Sequence, residues 1–210
     1  MCNKFVAWTW YGCFIALHGA SAQSFVVRNG DLHQCLTAKQ TRQLTFDGTY
    51  VEVALSPNNT RLAALRKLAE DQLAIDVFPL PWISAVPANR IQGPVVFDEY
   101  VLPIEGSLQW SNDGNTLYYL LSFSSTSAFL AKTTLKTMET RALCPAIRFI
   151  IIRKGEYADK LIVLKRKQTL VGPWYWYWLV DEAGAEIGPI GGREALSEFC
   201  DRYCKGQSCE

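Results

Sequence analysis

The chain has 210 residues, 49% of them hydrophobic and 12% aromatic, with 21 Lys and Arg against 20 Asp and Glu. A balance this close to zero excludes the broadly basic surface with which a nucleic-acid-binding protein meets phosphates. The length is enough for one domain with a proper hydrophobic core.

Met1 to Ala22 reads as a signal peptide. One positive charge, Lys4, precedes an apolar stretch from Phe5 to Leu17, and Ala20-Ser21-Ala22 supplies a small-residue cleavage site before Gln23. The apolar run is shorter than the roughly 20 residues of a membrane span and is interrupted by Thr9 and Gly12. After it the sequence holds no further run of spanning length, so the expectation is a periplasmic or secreted protein without a transmembrane segment.

Phe25 to Phe46 contains short strands, FVV, LHQCL and RQLTF, the first two joined by Arg28-Asn29-Gly30. Val51 to Pro79 then runs strand, turn, strand, hairpin, strand, with Ser56, Pro57, Asn58 and Asn59 as the turn. Within it Leu62 to Leu73 also fits a helical spacing of apolar residues. The repeat described below favours instead a strand over Arg61–Lys67, a hairpin near Glu70 and Asp71, and a strand over Leu73–Phe78. The proline-rich stretch from Pro79 to Pro103 is confined to loop or edge strand, and Val95 to Val101 is the expected outer strand of this unit.

Ser107 to Thr134 repeats the pattern more clearly. Leu108 and Trp110 alternate with polar residues, Ser111, Asn112, Asp113 and Gly114 supply turn chemistry, Thr116 to Phe123 is dense in β-branched and aromatic residues, and Ala128 to Leu135 alternates again. A fainter copy follows, Lys160–Lys165 and Trp174–Asp181 matching its two later strands, but its turn has lost the pattern. Repetition of several short strands at this spacing marks propeller blades of roughly 40 to 50 residues.

Arg153, Lys154, Lys160, Lys165, Arg166 and Lys167 form a local basic region, read either as solvated strands and loops or as a surface for an anion. Trp174, Trp176 and Trp178 alternate with Tyr175 and Tyr177, so the indoles share one strand face and the phenols the other. They read either as sheet core or as an aromatic platform for a sugar or an apolar peptide. Arg193 to Lys205 has Leu196, Phe199, Cys200 and Tyr203 at helical spacing and Gly206 as a stop signal, a short helix capping the sheet.

Past the signal segment five cysteines remain: Cys35, Cys144, Cys200, Cys204 and Cys209. In an oxidising compartment they suggest two bridges and one thiol left over, with at least one bridge tying down the C-terminal tail. Cys200 and Cys204 lie one helical turn apart, which suits separate partners. A metal site on Cys200, Cys204 and Cys209 completed by His33 is the alternative; the spacing lacks the paired two-residue gaps of structural zinc, and no metal or cofactor is expected.

The segment LQWSNDGNTLYYL resembles the strand-turn-strand repeat of TolB-like and WD-type β-propellers, and is similar to repeats in the propeller domains of prolyl oligopeptidase and dipeptidyl peptidase relatives. RQLTFDG, Arg42 to Gly48, resembles the end of such a blade. Asn58 and Asn59 depart from the usual Asp-Gly. The implied fold is all-β, a short or partial propeller-like array of antiparallel meander sheets with a small C-terminal helix. The division is 1–22 signal peptide, 23–190 propeller-like domain and 191–210 Cys-containing helix and tail. Three or so units are fewer than closure of a ring takes, so an open arc, a homodimer of arcs or a truncated relative is expected.

No G-x-S-x-G elbow, H-E-x-x-H or phosphate-binding Gly-rich loop occurs, and His33 is the one histidine after the signal segment. The reading is therefore an exported, non-catalytic module that binds protein, peptide or glycan, as the resemblance implies of TolB-like scaffolds in envelope complexes. The alternative is a remnant of an oligopeptidase-like serine hydrolase, its substrate-gating propeller without the catalytic domain.

Overall fold

The computed structural model describes residues 24–209 apart from 38, 70–71, 82–86, 93–94, 97–98, 101, 125–126, 171 and 208. The expected signal segment lies outside the described residues.

Each sheet is a meander made from consecutive strands. The first holds β1 (Ser24–Arg28), β2 (Asp31–Cys35) and β3 (Thr41–Gln43), in that order. The second holds β4 (Tyr50–Leu55), β5 (Arg61–Ala69), β6 (Gln72–Pro79) and β7 (Asn89–Gln92). A small hairpin of β8 (Val95–Val96) and β9 (Glu99–Tyr100) follows. In the third sheet β10 (Leu102–Pro103) and β11 (Gln109–Trp110) share one side of β12 (Thr116–Ser124), with β13 (Ser127–Thr134) and β14 (Glu139–Pro145) beyond. The fourth holds β15 (Arg148–Ile151), β16 (Leu161–Thr169), β17 (Gly172–Val180) and β18 (Glu186–Gly191), and helix α1 (Arg193–Tyr203) ends the regular structure. None of the sheets closes on itself, and no helix among the described residues is long and apolar enough to cross a membrane.

The middle strand of each large sheet is apolar on both faces, and the reason is packing. On β5, Leu62 and Ala64 are buried against the first sheet, while Ala63 and Leu65 face the third. On β12, Leu117, Tyr119 and Leu121 face the second sheet and Tyr118 and Leu120 the fourth. On β16, Leu161 and Val163 face the third sheet, whereas Ile162 joins Leu196, Cys200 and Cys204 under α1. Successive sheets therefore stack face to face, and α1 covers the last. This two-sided burial decides the ambiguity at Leu62–Leu73 for two strands, since a helix would present one stripe and leave the opposite face unpacked.

The proline-rich stretch departs from expectation. The outer strand of the second sheet is β7, at Asn89–Gln92, and Val95–Val96 pairs with Glu99–Tyr100 instead.

Both clear turns do the same two jobs. Ser56 and Ser111 accept backbone N–H bonds with their hydroxyls, from Arg61 at 3.0 Å and Thr116 at 2.9 Å, while donating to the side chain two residues on, Asn58 at 2.8 Å and Asp113 at 2.5 Å. The fourth position is left-handed in each, φ 56° at Asn59 and 69° at Gly114. Asparagine tolerates that region, so the departure from Asp-Gly costs the turn little.

The turns also join one sheet to the next. The Asn58 amide donates to the Asp113 carbonyl (3.2 Å), and Arg61 to the Gly114 carbonyl (2.7 Å). The Asn112 amide donates to Asp159 (2.6 Å), and Arg153 to the Trp110 carbonyl (2.6 Å). On the first strands, Gly106 and Leu108 N–H groups both donate to the Glu52 carboxylate at 2.9 Å, and the Trp110 indole donates to the Ala54 carbonyl at 2.9 Å. Burial pushes the Glu52 carboxyl above its ordinary value, against these donors, which lower it.

The fourth sheet's loop, residues 153–160, occupies the place of the missing third turn and has a different task. A Cβ on Gly155 would come within 1.8 Å of the Tyr203 carbonyl oxygen, so its backbone is the seat on which the end of α1 rests.

Among the described residues one charged side chain is fully buried. Asp76, 0% exposed on β6, is held by Arg90 through two bonds of 2.6 and 3.1 Å and by the Tyr50 hydroxyl at 3.2 Å, between the first and second sheets. Removing the exposed Arg90 is costly because it would leave the Asp76 carboxylate buried with only the more distant Arg66 guanidinium, at 3.7 Å, to compensate it.

Replacing Trp110, 1% exposed, by Ala is expected to lower stability by about 3–5 kcal/mol in denaturant titration. Trp174→Ala, at a half-exposed site, should stay within about 0.5 kcal/mol. A second expectation concerns alkaline pH. Burial raises the Tyr50 phenol and pushes Tyr118 up to about 12. Folded chains therefore keep protons that unfolded chains lose above about pH 10, so this contribution is complete below pH 10 and disappears as pH rises through 12. Stability should fall by up to about 1.4 kcal/mol per pH unit for each ring over that interval, and Tyr118→Phe should flatten the decline in a pH series of melts.

Candidate functional site

The first strands of successive sheets, β4, β10–β11 and β15, lie side by side, linked by Glu52 and Trp110 on one side and by Gln109 on the other. The Gln109 amide donates to the Phe149 carbonyl at 3.1 Å. Where β11 meets β15 a cleft of about 580 Å³ opens, lined by Glu105, Ser107, Gln109, Arg148, Phe149 and Ile150. On the other flank of β15, under α1, lies a second cleft of about 310 Å³ with Arg148, Tyr177, Arg193, Ser197, Asp201 and Cys209 on its walls. Arg148 lines both.

β15 is the edge strand of the fourth sheet, and its outward carbonyls are covered by side chains. Gln109 takes Phe149, and the Gln207 amide donates to the Ile151 carbonyl at 2.8 Å while its oxygen accepts from the Arg153 N–H at 2.6 Å. Two glutamines thus occupy an edge that would otherwise offer main-chain groups to another strand. Gln109, Arg148 and Gln207 carry no motif of their own in the sequence. Gln109 adjoins the repeat turn and was within reach of a pattern; Gln207 lies 56 residues from its partner in a tail without a motif.

The aromatic run is split between roles. Trp178 packs against the core between the third and fourth sheets and Tyr177 against the core under α1. Trp174 and Tyr175 are 52% and 53% exposed, and Trp174 and Trp176 stack with centroids 5.4 Å apart at 7°. Lys165 stands opposite Trp176 and Lys167 opposite Trp174, with the Lys165 ammonium 5.9 Å from the Trp178 ring and paired to Glu186 at 2.6 Å. Lys154 and Lys160 lie on the loop that carries Arg153, at the other end of β16, so the basic run does not form one patch.

The turn residues Ser56 to Asn59 and Ser111 to Gly114 serve the joints described above. His33 sits on β2 in the first sheet, whereas both clefts flank the fourth. Ser107 donates to the Ile104 carbonyl at 2.5 Å and accepts from Leu120, and Asp181 accepts from Ala183 and Ala185 in a turn. These are structural contacts.

Cys200 and Cys209 form a disulfide that ties the tail to α1, while Cys35, Cys144 and Cys204 are free. The second bridge expected from the count does not form, because Cys144 lies in the core between the third and fourth sheets, Cys204 under α1 and Cys35 in the first sheet. Burial raises the thiols of Cys144 and Cys204. The sulfurs of Cys200, Cys204 and Cys209 lie within 4.8 Å of one another, two of them joined in the disulfide.

This stack has counterparts among solved structures. Dipeptidyl peptidase 4 of Porphyromonas gingivalis aligns over 81% of this chain and 31% of its own, with TM-score 0.55 and 10% identity. TolB of Acinetobacter baumannii aligns over 81% and 41%, with TM-score 0.53 and 12% identity. The fold is that of TolB-like β-propeller blades. An uncharacterised protein of Listeria monocytogenes EGD-e shares it over 80% of this chain and 51% of its own, with TM-score 0.52 and 9% identity. The chain thus spans between about a third and a half of these structures, and the likeness is one of fold. No protein-family model matches the sequence, and no curated protein matches it. In propeller terms β4, β10–β11 and β15 are the innermost strands of three blades, and the clefts open beside the innermost strand of the last.

Replacing Cys200 and Cys209 together by Ser is expected to lower stability by about 2–3 kcal/mol, given the short loop they close. Non-reducing denaturant titration checks this, and dithiothreitol should bring the native protein to the same midpoint.

Proposed function

We propose that the chain is an exported, non-catalytic propeller-type binding or scaffold module, and that it takes an extended peptide segment of a protein partner along the inner edge of β15. The observation that carries this reading is that β15 is an edge strand flanked by two clefts sharing Arg148. An added strand recognises its partner through main-chain hydrogen bonds, while side pockets select alternate side chains. Here the two clefts are the pockets, Arg148 is the charge that suits a carboxylate of the ligand, and Gln109 and Gln207 hold the carbonyls until an incoming N–H replaces them. Export is supported by the Met1–Ala22 pattern and by the Cys200–Cys209 bridge, a bond at home in oxidising compartments.

Arrayed random decapeptides, followed by titration calorimetry on those retained, test the reading. Arg148→Glu should weaken retained peptides about tenfold or more, as expected for a lost charge-assisted contact, with an unchanged melt because the side chain is exposed. Gln109→Ala with Gln207→Ala should strengthen them. Equal binding by wild type and Arg148→Glu would overturn the site.

A further inference from the structure

The far half of the β16–β17 hairpin runs beyond the outer strands of its sheet. β15 pairs with β16 no farther than Leu164, and β18 pairs with β17 no farther than Tyr177. Beyond those positions Lys165 to Thr169 and Gly172 to Trp176 pair only with each other. A two-stranded ribbon of five residues a side thus projects about 17 Å from the last blade. Neither cleft described above reaches its Trp174, Tyr175 or Trp176.

Its composition is ordered along its length. Leu170, at the tip, is 107% exposed, with Pro173 exposed beside it. Next come Trp174 and Tyr175, each about half exposed. Level with them stand Lys167 and Arg166, both exposed. Lys165 is already engaged by Glu186, which leaves Arg166 and Lys167 as the cations that face outward. From Leu161 to Val180 the sequence has these three cations and no carboxylate.

A projecting apolar tip, a ring of Trp and Tyr behind it and a collar of cations beside that ring match the layers of a bilayer surface. There acyl chains lie deepest, Trp and Tyr prefer the headgroup boundary, and Lys and Arg meet phosphates. A sugar platform is a poorer match, because Trp174 and Trp176 stack on each other and each spends one ring face on its neighbour. We propose that this ribbon is a docking finger for the surface of an anionic lipid bilayer, inserting Leu170 and resting Trp174 and Tyr175 at the headgroups while Arg166 and Lys167 pair with phosphate. It is independent of the peptide site at β15.

The test is co-sedimentation and tryptophan emission of the full chain with phosphatidylcholine vesicles containing or lacking phosphatidylglycerol. Binding should require phosphatidylglycerol, weaken with salt and shift emission to the blue. Leu170→Asp, and Arg166→Glu with Lys167→Glu, should each reduce it at least tenfold with melting unchanged; Lys136→Glu, an exposed charge on the β13–β14 turn, should not. Failure to bind either vesicle would overturn the proposal, as would undiminished binding by Leu170→Asp. An emission shift with soluble oligosaccharides and none with vesicles would instead assign the ribbon to sugars.

Discussion

Two-sided burial is the constraint on which the structure depends. A strand such as β12, with Leu117, Tyr119 and Leu121 on one face and Tyr118 and Leu120 on the other, cannot satisfy both faces within its own sheet. Each blade therefore requires two neighbours, and the array ends in water only where something other than a blade covers the last face. Here α1 does this with Leu196 and the cysteine cluster, in the way that terminal units of repeat proteins seal an exposed interface.

Hydrophobic matching sets the order of the blades but does not by itself fix their angle, since apolar faces slide. The polar joints supply that. Glu52, Trp110, Asn58, Arg61, Asn112 and Arg153 each bond from one blade to a main-chain group of the next, and main-chain groups have no freedom to follow a slipped partner. Turn residues such as Asn58 and Asn112 thus also help to hold adjacent blades in register.

Much of this was legible. Ser56 and Ser111 marked equivalent turns because the hydroxyl-to-backbone bond they make is local, and local bonds leave a pattern in the sequence. The helix-like spacing at Leu62–Leu73 misled only when taken alone, since the strand state is decided by sheets on either side. Val95 to Val101, the expected outer strand, gives that place to Asn89–Gln92, because prolines exclude ladder partners without choosing among the strands that remain. The third turn lacks the pattern because its Gly155 answers to Tyr203, far along the chain, and such a requirement has no local signature. The same holds for Gln207 on β15, and it is why the edge strand and its clefts were invisible while the aromatic run, a matter of composition, was obvious.

Every ladder in the structure joins strands that are near one another along the chain, and contacts between blades follow the same order. A chain emerging from its start can therefore complete one meander before the next is made, with little loop entropy lost at any step. At each stage one greasy face is left waiting for the following blade. α1 follows β18 along the chain, so until it seats on Gly155 the face of the fourth sheet that carries Ile162 and Leu179 is open to neighbouring molecules. The disulfide from Cys200 to Cys209 then fixes the tail to α1, so that Gln207, bonded to the main chain at Ile151 and Arg153, anchors helix and tail to the sheet together.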